Sequence, residues 1–260
     1  MKRTFTYALT IALARWLPQS TLAQENQTFG NVTQAFRDAK VVPDVIPVFN
    51  PSALLDVVFT DNSTMQNVNV TPGMNLTMTQ TSSAPQFFLR ANETLPGNAP
   101  YVLAIVDPDA PTPQNTSISQ FRHFLGGGFR VDNSTSELKN TTAALSDFTP
   151  PTPPDGSDPH RYVVVVFNQP TDFDTVAQRL VNASTPRTNF NLTTFSRDVG
   201  MGNPIAGNFF LTGPNGTNGT TNTNGTSPSS DNGASACRFS RWIGWFALGG
   251  GLFAAGFQVL

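Results

Sequence analysis

Twenty-one prolines fall between Pro18 and Pro228 of the 260-residue chain. Each fixes φ near −65° and removes a backbone donor, so it bars a helix interior and is confined to the ends and edges of strands. Helices must therefore be few and short, and Gln34 to Lys40 and Phe173 to Leu180 are the candidate patches. The stretches between prolines read as strands. Tyr101 to Val106 and Tyr162 to Phe167 are continuous apolar runs, rich in β-branched residues and bounded by proline. That is the pattern of central strands buried on both faces. Leu54 to Phe59 is a third candidate, and Met74 to Met78 a fourth that alternates apolar and polar as a half-buried strand does. The expected class is all-β dominated, an antiparallel β-sandwich with a few short helices. Gly126-Gly127-Gly128 is unusual inside a strand and marks a bulge rather than an oxyanion hole.

Both ends of the chain read as addresses rather than fold. In residues 1–23, Lys2 and Arg3 precede a short apolar run from Phe5 to Ala14, and Thr21-Leu22-Ala23 offers small residues for cleavage before Gln24. This is the layout of a secretory signal, with a mitochondrial presequence as the rival. Fourteen Asn-x-Ser/Thr sequons favour export: Asn26, Asn31, Asn62, Asn69, Asn75, Asn92, Asn115, Asn133, Asn140, Asn182, Asn191, Asn215, Asn218 and Asn224. Any that fall in buried strands would be silent. From Trp242 to Leu260 the chain is apolar and uncharged, preceded by the small residues Asn232-Gly233-Ala234 and a spacer holding Arg238 and Arg241. That order matches a glycosylphosphatidylinositol (GPI) attachment signal over residues 233–260, with Asn232 as the attachment candidate. The stretch also has the length of an ordinary transmembrane anchor. The two arginines would then lie outside, against the positive-inside bias.

Cleavage at both ends removes Cys237, the single cysteine, and five basic residues. Ten basic residues then face 17 acidic ones, a formal charge of −7. Nucleic acid is an unsuitable partner for such a surface, since phosphate backbones need clustered Lys and Arg. Between the ends, residues 24–212 have the size of one domain with a substantial core. Residues 213–232 are almost entirely Gly, Asn, Thr, Ser, Pro and Asp, with nothing apolar to bury. They read as a glycosylated stalk whose ends, as a random coil, would lie ~25 Å apart. The expected place of work is outside the cell, anchored to the outer face of the plasma membrane or the cell wall.

The chemistry concentrates in three pieces: Asp107-Pro108-Asp109-Ala110-Pro111, Arg122-His123-Phe124, and Pro153-Pro154-Asp155-Gly156 running into His160-Arg161-Tyr162. The chain's two histidines both lie here. In an extended chain Asp107 and Asp109 would point to one side, while in a proline-stiffened turn they would cap local N–H groups. His123 in an apolar setting and His160 at a strand start each have a structural reading as satisfied core and strand-end residues. Two aspartates and two histidines otherwise admit metal binding, acceptance of a phosphate oxygen by protonated imidazole, or acid–base chemistry.

These pieces, with Pro43-Asp44-Val45-Ile46-Pro47, Leu54-Leu55-Asp56-Val57 and Pro204-Ile205-Ala206-Gly207-Asn208-Phe209-Phe210, resemble in order and spacing the phosphatidylethanolamine-binding protein family, from Phe36 to Phe210. Within the family the chain resembles the fungal secreted, GPI-anchored type. The resemblance implies a Greek-key β-sandwich with a shallow pocket lined by Asp107, Asp109, His123, Pro154 and His160, and with Tyr162 supporting its wall. In relatives such pockets take phosphate-like or acetate-like anions and phosphorylated headgroups. No cofactor and no metal is implied. Three departures stand out. Arg122 replaces the first of a usual histidine pair, as a phosphate fork or an outward salt bridge. Pro150 stands where animal members often have a glycine and its N–H. The C-terminal helix of animal relatives has no counterpart, which implies a more open pocket.

The expected function is non-enzymatic binding of a small anionic or phosphorylated headgroup, phosphatidylethanolamine-like, with micromolar to millimolar affinity from a few charge-assisted bonds of about 1.5–3 kcal/mol each. Inhibition of a serine carboxypeptidase, as in fungal relatives, is the alternative, followed by a cell-surface scaffold with a vestigial pocket. A Gly-x-Ser-x-Gly elbow and a P-loop are absent, and no His-x-x-x-His spacing supports a metalloenzyme.

Overall fold

The computed structural model describes residues 27–91, 99–140 and 142–214, all within one compact unit. The signal and attachment segments and the stalk beyond Pro214, with Asn26, Asn92, Asn215, Asn218, Asn224 and Asn232, lie outside the described residues. Helix α1 (Phe29–Asp38) begins where the Thr28 hydroxyl accepts from the Asn31 N–H, and buries Val32 and Phe36, one turn apart. It ends at Lys40, which takes a left-handed φ of 55° and turns the chain into the single turn of α2 (Val41–Asp44). The strands follow as β1 (Ala53–Asp61), β2 (Gln66–Asn69), β3 (Met74–Leu76), β4 (Gln86–Ala91), β5 (Tyr101–Asp107), β6 (Phe121–Val131), β7 (Leu138–Asn140) and β8 (His160–Asn168). Helices α3 (Phe173–Leu180) and α4 (Leu192–Asp198) precede β9 (Ala206–Thr212).

Two sheets form, one ordered β2-β1-β4 and the other β3-β9-β8-β5-β6-β7. In the larger sheet β5, β6 and β7 are successive antiparallel neighbours, and β8 returns to lie beside β5. The spatial order 8-5-6-7 is a Greek key. The sandwich is not wholly antiparallel, because β3 crosses from the first sheet to run parallel to β9 at the edge of the second.

Alternation along the central strands divides the core into two layers. Leu103 and Ile105 of β5 and Tyr162, Val164 and Val166 of β8 face the smaller sheet, where they meet Leu55, Val57, Phe59 and Leu89. Val102, Ala104 and Val106 with Val163, Val165 and Phe167 face the other way, under α1, α3 and α4. Strands buried on both faces explain why β5 and β8 read as unbroken apolar runs.

Two irregularities interrupt the β5–β6 pairing. One falls at Gly127 and Gly128, where Gly128 takes a φ of +73° and a side chain on Gly127 would lie 2.5 Å from the Phe173 ring. The other falls at His123: Ile105 pairs Phe124 and Val106 pairs Arg122, leaving His123 as the extra residue. Without it His123 would face the helices. With it, His123 joins the side of Tyr162, and Arg122 turns behind the sheet.

Candidate functional site

The end of β5 and the starts of β6 and β8 meet at one edge of the sandwich because those strands alternate in direction. A cavity of about 270 Å³ opens there. Asp107, His123, Pro154, His160 and Tyr162 line it together, with Phe121, Pro111, Ile118 and Thr152. Most of its wall is ring and methylene, so the few polar groups decide its chemistry.

Asp109 stands outside that lining. The chain turns at Asp107, whose Oδ1 accepts from the Asp109 N–H at 2.7 Å, so the two carboxylates diverge instead of facing one side. Asp109 is held by Arg161, which donates from its main-chain N (2.8 Å), Nε (2.9 Å) and Nη2 (2.7 Å). The same guanidinium donates to Ala39 O at 2.7 Å and to Asp44, tying the end of α1 to the pocket turn. Asp109 therefore positions the pocket rather than facing a ligand.

His160 and Asp107 are 2 % and 3 % exposed and meet at 2.8 Å, Nδ1 to Oδ2. On the other side of the ring, Nε2 lies 3.0 Å from Ser157 Oγ, whose proton is directed to Asp158 O at 2.8 Å. Both ring nitrogens of His160 are thereby engaged, Nδ1 by Asp107 and Nε2 by Ser157. Neither remains for a ligand. Ser157 escaped the sequence reading; its place three residues before His160 was the signal.

His123 differs. Its Nδ1 donates to Thr149 O at 2.6 Å, which fixes the tautomer and leaves Nε2 without a partner among the described residues. Burial lowers its pKa from the usual 6.5, outweighing the Thr149 bond and the Asp107 charge. His160 is thus fully engaged within the protein, while His123 keeps one ring nitrogen without a partner among the described residues. Tyr162 packs against both, edge-on to His123 at 5.0 Å and stacked on His160 at 6.3 Å. Burial first, then the Asp107 and Asp109 charges, raise its pKa, so the hydroxyl keeps its proton.

His123 also sets a pH dependence. The unfolded chain takes up its proton near pH 6.5, before the native state does, so the contribution of neutral His123 is complete above that value. It is lost as pH falls from 6.5 toward the lower native pKa. Urea midpoints should fall between pH 7.5 and pH 5, and His123→Gln should flatten that slope.

No group of three His, Cys, Asp or Glu side chains converges as a metal site among the described residues. The two-sheet sandwich and its small pocket of histidine, aspartate, proline and tyrosine define a known class of β-sandwich protein. A model of the phosphatidylethanolamine-binding protein family matches residues 58–210. The chain belongs to that family. It is 31% identical over 176 residues to a 26 kDa secreted antigen of Toxocara canis, covering 67% of this chain and 62% of the antigen. It is 26% identical over 167 residues to carboxypeptidase Y inhibitor of Saccharomyces cerevisiae, covering 54% of this chain and 74% of the inhibitor. The crystal structure of carboxypeptidase Y inhibitor complexed with its cognate proteinase superposes with a TM-score of 0.63 at 22% identity, over 74% of this chain and 98% of that one. At that identity the likeness speaks for the fold.

Proposed function

We propose that the protein binds a small anionic or phosphorylated headgroup in the Asp107/His123/Tyr162 pocket, without catalysing a reaction. The observation that carries this reading is the unused capacity of the wall: His123 Nε2 and the Tyr162 hydroxyl make no hydrogen bond with the described residues, while Asp107 and His160 satisfy each other. An arriving oxyanion receives the tyrosine O–H and raises the His123 pKa, so that Nε2 becomes a second, charge-assisted donor. Binding should therefore be accompanied by proton uptake, and affinity should rise from pH 8 to pH 6.

Calorimetric titration with phosphorylethanolamine tests this. Saturable binding in the micromolar to millimolar range is expected, about tenfold or more weaker in His123→Ala, the equivalent of at least ~1.4 kcal/mol. Heats that never saturate at millimolar ligand, or identical isotherms for both proteins, would sink the reading.

The cellular setting belongs to the same proposal: export by residues 1–23, a GPI anchor at Asn232, and glycans on the outward surface. Placement of the sequons supports it. Among the described residues Asn31, Asn62, Asn75, Asn115, Asn133, Asn182 and Asn191 are exposed and Asn69 and Asn140 half-buried. The fully buried asparagine, Asn208, is in no sequon. The named likeness to carboxypeptidase Y inhibitor favours a second reading, inhibition of a serine carboxypeptidase. It predicts dose-dependent inhibition of such an enzyme that His123→Ala leaves intact.

A further inference from the structure

We infer a second anion site, behind the strand that carries His123, in which Arg122 and Arg187 take a small oxyanion, a carboxylate or a phosphate group. The bulge at His123 sends the neighbouring Arg122 to the helix-covered face of the larger sheet. There Arg122 is 1 % exposed, among the largest fully buried side chains of the described fold. Its Nη2 donates to Thr185 O at 3.2 Å, its Nε has no partner, and its Cζ lies 5.0 Å from the centre of the Phe190 ring. Among the described residues no carboxylate pairs with it. Arg187 stands beside it, donating from Nη1 to the carbonyls of Arg122 (3.2 Å), His123 (3.4 Å) and Asp147 (2.8 Å), and likewise enters no ion pair among the described residues.

Burial and the Arg187 charge together lower the Arg122 pKa to about 10. The group is still a guanidinium at neutral pH, so the charge is real and uncompensated. A buried ion without a counter-ion is costly, and one ring face and one long hydrogen bond do not match its lost hydration. Arg161 shows how this fold treats an arginine that serves structure. Arg161 is less buried, yet its side chain engages both oxygens of Asp109, a carboxylate oxygen of Asp44 and Ala39 O. Arg122 has the burial without the partners.

The space for a partner is there. A cavity of about 460 Å³ is lined by Arg122, Arg187, Ser146, Gln178 and Thr185. Ser146 and Gln178 make no side-chain hydrogen bond with the described residues and add neutral donors. Asp147 also borders the cavity and contributes its main-chain oxygen to Arg187. Two like charges and uncommitted neutral donors beside one void form a receptor for an oxyanion. A guanidinium fork suits a carboxylate or a phosphate equally, so the chemistry is named and its source left to the test.

The His123→Ala protein removes the front pocket from the measurement. Titrated with inorganic phosphate, and separately with acetate, at constant ionic strength against chloride, its ¹⁵N spectrum reports the arginine Nε–H groups directly. The Arg122 Nε–H resonance should shift saturably with phosphate or acetate and not with chloride. Whichever anion saturates at lower concentration identifies the class of source. With Arg122→Gln added to the His123→Ala protein, calorimetric phosphate affinity should fall about tenfold or more, the equivalent of at least ~1.4 kcal/mol. Should that variant not fold, the titration of Arg122 in the unaltered protein decides alone. An Arg122 resonance that follows chloride as it follows phosphate, or undiminished binding after Arg122→Gln is added, overturns the inference. Both outcomes are independent of whether phosphorylethanolamine binds at His123.

Discussion

Replacing Asp107 with alanine should lower the folding free energy by about 3–5 kcal/mol, the usual consequence of removing one partner of a buried pair. The carboxylate is sealed and does two things at once: Oδ2 meets His160 Nδ1 at 2.8 Å, and Oδ1 accepts the Asp109 N–H at 2.7 Å. Alanine strands two buried donors together. His160 cannot swing to water, because its ring is 2 % exposed and pinned through Nε2 to Ser157. Asp107→Asn keeps an oxygen for the Asp109 N–H and should cost less than alanine. Urea unfolding at pH 7.5, with midpoints compared at a common slope, measures both variants. A loss below ~1 kcal/mol for alanine would mean that the pair contributes little beyond its geometry.

Phe36→Ala should have an effect of the same size, about 3–5 kcal/mol. Phe36 is fully buried, stacks on Phe49 with centroids 4.2 Å apart and meets Phe209 edge-on at 5.6 Å. Its ring lies so close over β9 that a side chain on Gly207 would stand 2.8 Å from it. The cavity left by alanine therefore sits under a helix with little else to fill it. The loss should also reach the pocket. Helix α1 is the element whose last carbonyl, Ala39 O, receives Arg161, and Arg161 in turn orients Asp109. Differential scanning calorimetry should show the lowered melting temperature. Hydrogen exchange should show faster exchange at the Asp109 and Arg161 amides as well as in α1. Exchange confined to α1 would separate the helix from the pocket turn.

What the amino-acid order reveals here depends on whether a feature is local. The apolar, β-branched runs of β5 and β8 are legible because burial on both faces leaves no polar residue to confuse the period. Helix α3 spans the expected Phe173 to Leu180 because prolines and a polar turn bound an amphipathic octet. Strands β6 and β9 are harder: glycines, an arginine and Asn208 interrupt their pattern, and only the pairing with β5 and β8 makes them strands. In the pocket, Asp107, His123, Pro154, His160 and Tyr162 come together as their motifs imply. Asp109 does not, since its fate is settled by Arg161, a long charged side chain whose partner no spacing discloses. Arg122 is the sharpest case. Neither a fork into the pocket nor an outward salt bridge describes it, because a one-residue bulge reverses the face it occupies.

With only two histidines in the chain, the role proposed for His123 Nε2 as the group that receives an anion is directly observable. In a long-range ¹H–¹⁵N spectrum at pH 7.5, unliganded His123 should show a protonated Nδ1 and a bare Nε2. Saturating phosphorylethanolamine should convert His123 Nε2 to the protonated form and leave His160 unchanged. If both histidine patterns are the same with and without saturating ligand, the pocket is not where the anion binds.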